Sequence, residues 1–127
     1  MTNNIFQLND NAIDSDGVLL FAPGLYKLVI CQASWCGHCT HAKPEFQIAA
    51  DATEAAGSMI VFCTIDGSGG KNVTNSQKSL ASRIGKLFDI NGFPSYLLFD
   101  RSGKHVKDFK LTGRDSKSIA QSLRSYV

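Results

Sequence analysis

Apolar and polar positions fall into blocks along this chain, and the spacing within each block predicts alternating strands and helices. Ile5 to Leu8 is a short first strand. The stretch Asp10 to Gly17 is polar, with room for a brief helix before Pro23-Gly24. Tyr26 to Cys31 is a nearly continuous apolar run, the pattern of a strand covered on both faces. From Cys36 to about Ala56 the period changes. Cys39, Ala42, Phe46, Ala49, Thr53 and Ala56 step by three and four and mark one face of a helix. Pro44 lies inside it and removes the hydrogen bond to the Thr40 carbonyl, so a kink is expected, while Gly57 suits its end. Met59 to Ile65 is a second buried strand. Leu80, Ile84, Leu87 and Phe88 return to helical spacing. Tyr96 to Phe99 is a strand, Asp100 to Gly103 a turn, and His105 to Leu111 its antiparallel partner; Ser116 to Tyr126 closes the chain as an amphipathic helix through Ile119, Leu123 and Tyr126. The order β-α-β-α-β-α-β-β-α predicts an α/β domain: a central mixed sheet of four to five strands flanked by about four helices.

With 127 residues the chain is expected to be a single domain, 1–127, large enough for a real core. It is 43% hydrophobic and 19% charged, a globular composition. The 13 basic and 11 acidic residues leave a net charge of only +2, and they do not cluster, which argues against nucleic acid or an anionic membrane as partner. The N-terminus shows no basic region followed by an apolar stretch, and the run Val18 to Ala22 is too short for a signal core or a membrane span. No retention signal stands at the C-terminus. A reducing cytoplasm is the expected compartment, or the endoplasmic reticulum or another oxidising compartment if a leader was removed. A monomer without cofactor or metal is expected.

Four cysteines are present: Cys31, Cys36, Cys39 and Cys63. Cys36 and Cys39 are spaced C-x-x-C where a buried strand breaks into a helix, and residues three apart in a first helical turn come within disulfide range. Cys36, at the helix N-terminus, meets free N–H groups and the positive end of the helix dipole; His38 adds an imidazolium that can hold the same thiolate. Cys39, one turn in, is expected to be more buried and to keep its proton. Cys36 is therefore the expected nucleophile and Cys39 the resolving thiol. Trp35, the only tryptophan, precedes the pair and is expected to cover one side of the site. Pro94 stands just before a strand, and spacing alone favours a trans bond there.

The string Ala33-Ser34-Trp35-Cys36-Gly37-His38-Cys39, followed by Pro44-Glu45-Phe46, closely resembles the active-site segment of protein disulfide isomerase catalytic domains. Gly92-Phe93-Pro94-Ser95 resembles that family's Gly-Tyr-Pro-Thr, and Gly113-Arg114 its Gly-Arg before the last helix. The resemblance spans roughly residues 26 to 126 with one insertion. It implies a thioredoxin fold and a cis proline at Pro94 facing the disulfide. It also implies an Arg114 that lowers the pKa of the second cysteine, and a substrate side formed by Trp35, Gly37, Phe93 and Pro94. The implied activity is thiol–disulfide exchange with protein substrates that expose disulfides or thiols, in the isomerase or oxidase direction, with glutathione or a reductase as electron partner. The chain also departs from the family. Where the family carries a buried acid, six residues before the first cysteine, Ile30 stands here, and Met59 to Ile65 lacks the lysine that pairs with that acid. The joint loss is coherent, since a lone buried charge is costly. Arg114, water or the substrate is then expected to cover the proton transfer at Cys39. Thr40 replaces the usual lysine after the second cysteine.

Three rival readings remain at this level. The first is a thioredoxin-like reductant, since the dipeptide between the cysteines sets potential: near −180 mV for isomerases against roughly −270 mV for thioredoxin. The second is half of a zinc site completed by Cys31, Cys63 or His41. The third is a non-enzymatic client-binding or chaperone module. Residues 66–79 form a longer polar connection, expected to be a tolerated insertion beside the site; Gly69-Gly70-Lys71 lacks the first glycine of a phosphate loop. Cys31 and Cys63 are expected to act as small hydrophobes, a disulfide between them being the lesser alternative. His41 is expected on solvated helix surface, and His105 is assigned no role.

Overall fold

The computed structural model describes residues 4–33, 36–66, 74–90 and 92–126. Four strands, β1 (Ile5–Gln7), β2 (Tyr26–Gln32), β3 (Ile60–Asp66) and β4 (Ser95–Phe99), form one sheet in the order β1-β3-β2-β4. β1 and β2 both run parallel to β3, and β4 runs antiparallel to β2. Three α-helices accompany them: α1 (Gly37–Ala55), α2 (Asn75–Leu87) and α3 (Ser116–Leu123). A single 3-10 turn at Asp10–Ala12 stands where the brief helix is expected.

β2 lies at the centre because its side chains suit burial on both faces; Leu28 and Val29 have no exposed surface. Leu28 and Ile30 point to one side, where they meet Ala42, Phe46 and Ala49 of α1 and Ile119 and Leu123 of α3. Val29 and Cys31 point to the other, against Cys63, Ile65 and Leu80 and Ile84 of α2. Pro44 sits inside α1 as the sequence predicts.

One expected element is absent among the described residues. His105–Leu111 does not form a strand. It touches β4 through a single bridge, Phe99 to His105, and one further bond, from Val106 N to Leu98 O at 2.8 Å. A turn closed by Phe109 N donating to Val106 O then redirects the chain. The cause is visible in the apolar spacing. Val106 and Phe109 are three apart, so a period-two strand cannot place both inside; the turn instead carries Phe109 into the core against Tyr126.

The turn before it is held by Asp100, whose Oδ1 accepts from Ser102 N and Lys104 N. Gly103 has φ +88°, and a Cβ there would meet the Leu19 carbonyl oxygen at 2.1 Å. Lys27 is the feature the apolar pattern conceals. It is wholly buried at the start of β2, with Nζ donating to Ala22 O at 3.3 Å and Asp100 and Cys63 as electrostatic neighbours.

Candidate active site

β2 ends at Gln32, and Ala33 closes a turn by accepting from Cys36 N at 3.1 Å. Cys36 is therefore the N-cap of α1, with extended backbone (φ −89°, ψ 117°), and Cys39 lies in the first turn. No side chain caps this helix. The Cys36 thiol instead donates to Phe93 O at 3.3 Å. A thiolate at the same place would be the acceptor that the open amides of the first turn lack.

The two sulfurs are pushed in opposite directions. The Cys39 amide, then the Cys39 thiol and the His38 amide, hold Cys36 below the ordinary thiol range, with a smaller contribution from the Arg114 charge. Burial pushes Cys39 up, and the neighbouring Cys36 adds to that. Cys36 is 8% exposed and Cys39 only 1%, so the more acidic sulfur is also the one an incoming disulfide can reach. The His38 side chain is exposed, and what His38 gives Cys36 is its backbone N–H.

The second wall comes from the loop before β4. The Phe93–Pro94 peptide bond is cis, and Phe93 packs against the cluster formed by Ala33, Cys36 and Cys39. Ser95 Oγ donates to Gly92 O at 2.6 Å and braces this loop. Beside it lies a cavity of about 470 Å³ lined by Ile90, Gly92, Phe93, Pro94, Tyr96 and Arg114, among others.

Arg114 arrives from the segment before α3. Asp115 caps α3 by accepting from Ser118 N at 3.1 Å, and Glu45 Oε1 on α1 accepts from Ser116 N at 2.8 Å. Gly113 fits because a Cβ there would approach Ser118 Oγ to 2.9 Å. The resemblance implies that Arg114 acts on the second cysteine; here its charge bears on Cys36 and on Tyr96.

Gly37, His38, Phe93 and Pro94 thus gather with both cysteines, and Arg114 stands at the edge of the same cavity. Trp35 lies outside the described residues, as do residues 67–73 with Gly69-Gly70-Lys71. Cys31 and Cys63 belong to a different cluster from the active pair, on the α2 side of the sheet. Cys63 pairs in register with Val29 and Cys31 with Ile65, so the two thiols are diagonal neighbours. An offset of two residues, about 6.6 Å along the strands on top of the ~4.8 Å between them, puts them beyond disulfide range. Burial drives both up to about 12. Among the described residues no group of three or more His, Cys, Asp or Glu side chains could hold a metal ion, and no helix is long and apolar enough to cross a membrane. His41 is exposed, and His105 packs against Phe88 and Phe99, which also pack on each other.

Tyr96 is the residue at this site that the apolar pattern does not single out. It pairs with Ile30 across β2 and β4, its ring packs on Phe46, and its hydroxyl is buried without a hydrogen-bond partner among the described residues.

Comparison with known proteins gives a consistent set of relatives. The family model described as Thioredoxin matches residues 25–125. A protein disulfide-isomerase of Triticum aestivum is 31% identical over 100 residues, which cover 79% of this chain and 18% of that protein. The putative thioredoxin-like protein 453L of Invertebrate iridescent virus 6 is 30% identical over 125 residues, covering 91% of this chain and 88% of its own. Among solved structures, human ERp44 superposes with a TM-score of 0.71 at 25% identity, over 98% of this chain and 30% of that one. The Trx4 domain of ERdj5 superposes at 0.67 and 21% identity, over 98% and 96%. This chain therefore spans less than a fifth of the plant relative.

Proposed function

The chain belongs to the thioredoxin family, and on that premise we propose that it is a thiol–disulfide oxidoreductase, isomerase-like in direction, working through Cys36 and Cys39. The observation that carries this reading is the opposed acidity of two sulfurs on one helical turn, the acidic one reachable and the other sealed.

Cys36 thiolate attacks one sulfur of a substrate disulfide. A mixed disulfide forms, and the other substrate sulfur leaves with the electron pair and takes up a proton. Cys39, once deprotonated, attacks Cys36 Sγ, closes the Cys36–Cys39 disulfide and releases the second substrate thiol. Two protein thiols are oxidised and one substrate disulfide is reduced; the reverse sequence oxidises a dithiol substrate. The amides that favour Cys36 thiolate also make Cys36 a good leaving group, which permits the exchange to run backwards and substrates to reshuffle.

The Phe93–Pro94 wall and its cavity offer a shallow surface suited to an extended segment around an exposed disulfide. Protein substrates of that kind are the partners this site fits, with glutathione or a reductase resetting the pair. The relatives named protein disulfide-isomerase support the isomerase direction. The test is a paired assay of insulin reduction and refolding of a scrambled protein. Wild type is expected to do both, Cys36→Ser neither, and Cys39→Ser to accumulate mixed disulfides with its clients. Insulin reduction without refolding would make the protein a reductant instead. Undiminished activity in Cys36→Ser would overturn the reading.

A further inference from the structure

Cys39 poses a proton problem. Its thiol is 1% exposed and pushed up by burial, yet closing the disulfide requires its thiolate. The charged groups that bear on it are Cys36 and, on its own helix, Lys43. Ile30, on the α1 face of β2, can neither take nor give a proton. The residue directly across from Ile30 in the β2–β4 register is Tyr96. Because cross-strand partners share a face, its side chain lies under α1, where its ring stands 6.1 Å from that of Phe46. Phe46 belongs to the same buried stripe of α1 as Cys39 and Ala42.

Tyr96 Oη is one of only two buried side-chain polar atoms without a hydrogen-bond partner among the described residues. The second, Gln32 Oε1, stands two residues beyond Ile30 on the same strand, while its Nε2 donates to Thr64 Oγ1 at 2.9 Å. A buried hydroxyl left unpaired is costly, and a native protein keeps one where chemistry or a bound water uses it. Cys39 and Arg114 both bear electrostatically on Tyr96, and Tyr96 and Arg114 line the same cavity beside Phe93–Pro94.

We propose that Tyr96 relays the proton of Cys39 during disulfide closure, its orphan hydroxyl doing beside Ile30 what Ile30 itself cannot. The inference rests on the oxidoreductase reading above. In the step, the Cys39 Sγ–H proton passes through one bridging water to Tyr96 Oη as the phenol passes its own proton to water at the Arg114 side. Cys39 Sγ attacks Cys36 Sγ, the bond to the substrate sulfur breaks, and that sulfur leaves with the electron pair and is protonated from solvent. Burial raises the phenol above its ordinary value while the Arg114 charge opposes this, so Tyr96 stays neutral at physiological pH and acts as a relay, not a resident base. The groups that face this path are Cys36, Cys39 and Lys43 from α1 and Arg114 from the loop before α3.

The test is single-turnover closure of the Cys36–glutathione mixed disulfide in the full chain, followed between pH 5 and 9. Tyr96→Phe keeps the ring on Phe46 and removes only the hydroxyl. It is expected to slow closure about ten- to hundredfold and to steepen its rise with pH, because Cys39 must then lose its proton directly to hydroxide. Ile30→Glu added to Tyr96→Phe is expected to recover rate and flatten the profile. In wild type, closure in heavy water is expected to be at least about twofold slower, a readout that does not depend on any variant folding. A Tyr96→Phe profile matching wild type, or no solvent isotope effect in wild type, would overturn the relay alone. A wild-type protein that cannot close the disulfide would overturn the oxidoreductase reading and the relay together.

Discussion

Cys36 and Cys39 differ by one helical turn, and that turn separates open amides from a sealed interior. Cys36 should therefore alkylate with an apparent pKa below the roughly 8.5 of a free thiol, and Cys39 only above it. Iodoacetamide at pH 7 followed by peptide mass mapping should find a single adduct, on Cys36. Cys31 and Cys63 behave differently. Their folded values rise to about 12, so the stability they contribute is complete below the unfolded value and fades as pH climbs from roughly 8.5 towards 12. At pH 10 the loss is about 2 kcal/mol per thiol. Urea midpoints measured from pH 7 to 10 should fall in wild type and fall less in Cys31→Ala/Cys63→Ala, whose cavity cost is the same at every pH. Both cysteines were legible in sequence as small hydrophobes. Tyr96 and Lys27 were not, because each sits in a run that otherwise reads as apolar, and only cross-strand register shows what each one faces.

The placement of the site depends on two helix ends. Pro44 costs α1 one hydrogen bond to Thr40, and its side chain is exposed, so nothing in the core requires it. Pro44→Ala should stabilise the protein by about 1–2 kcal/mol, the regained bond being partly offset by a freer unfolded chain. Thermal unfolding of the reduced protein checks it. At α3 the Asp115 cap and the Glu45–Ser116 bond fix the loop that carries Arg114. Gly113→Ala drives a Cβ against Ser118 Oγ and Asp115 Oδ1. A loss of about 1 kcal/mol, the size of a helix cap, is expected in a urea melt. These helices were visible from periodicity. The strand expected over His105–Leu111 was not realised because Val106 and Phe109 are spaced for a turn, and apolar content alone cannot separate the two cases.

At the scale of the molecule the central strand delivers the chemistry. β2 is buried on both faces, and Cys36 follows its last residue, Gln32, by four positions. β4, antiparallel beside β2, begins one residue after Pro94, which brings the cis bond to the same end of the sheet. Two segments more than fifty residues apart therefore meet because of strand order, a meeting that the family resemblance implied and the hydrophobic blocks alone did not. The side chains that tune the pair lie beyond such reasoning, since Arg114 reaches the site through a cap and a glycine contact. The proposed function calls for a two-electron couple confined to Cys36 and Cys39. The direct test equilibrates the protein in glutathione buffers, alkylates the free thiols and locates the disulfide by mass. One disulfide is expected, Cys36–Cys39, with a midpoint nearer roughly −180 mV than −270 mV. A disulfide involving Cys31 or Cys63, or no disulfide across the whole range of buffers, would contradict it.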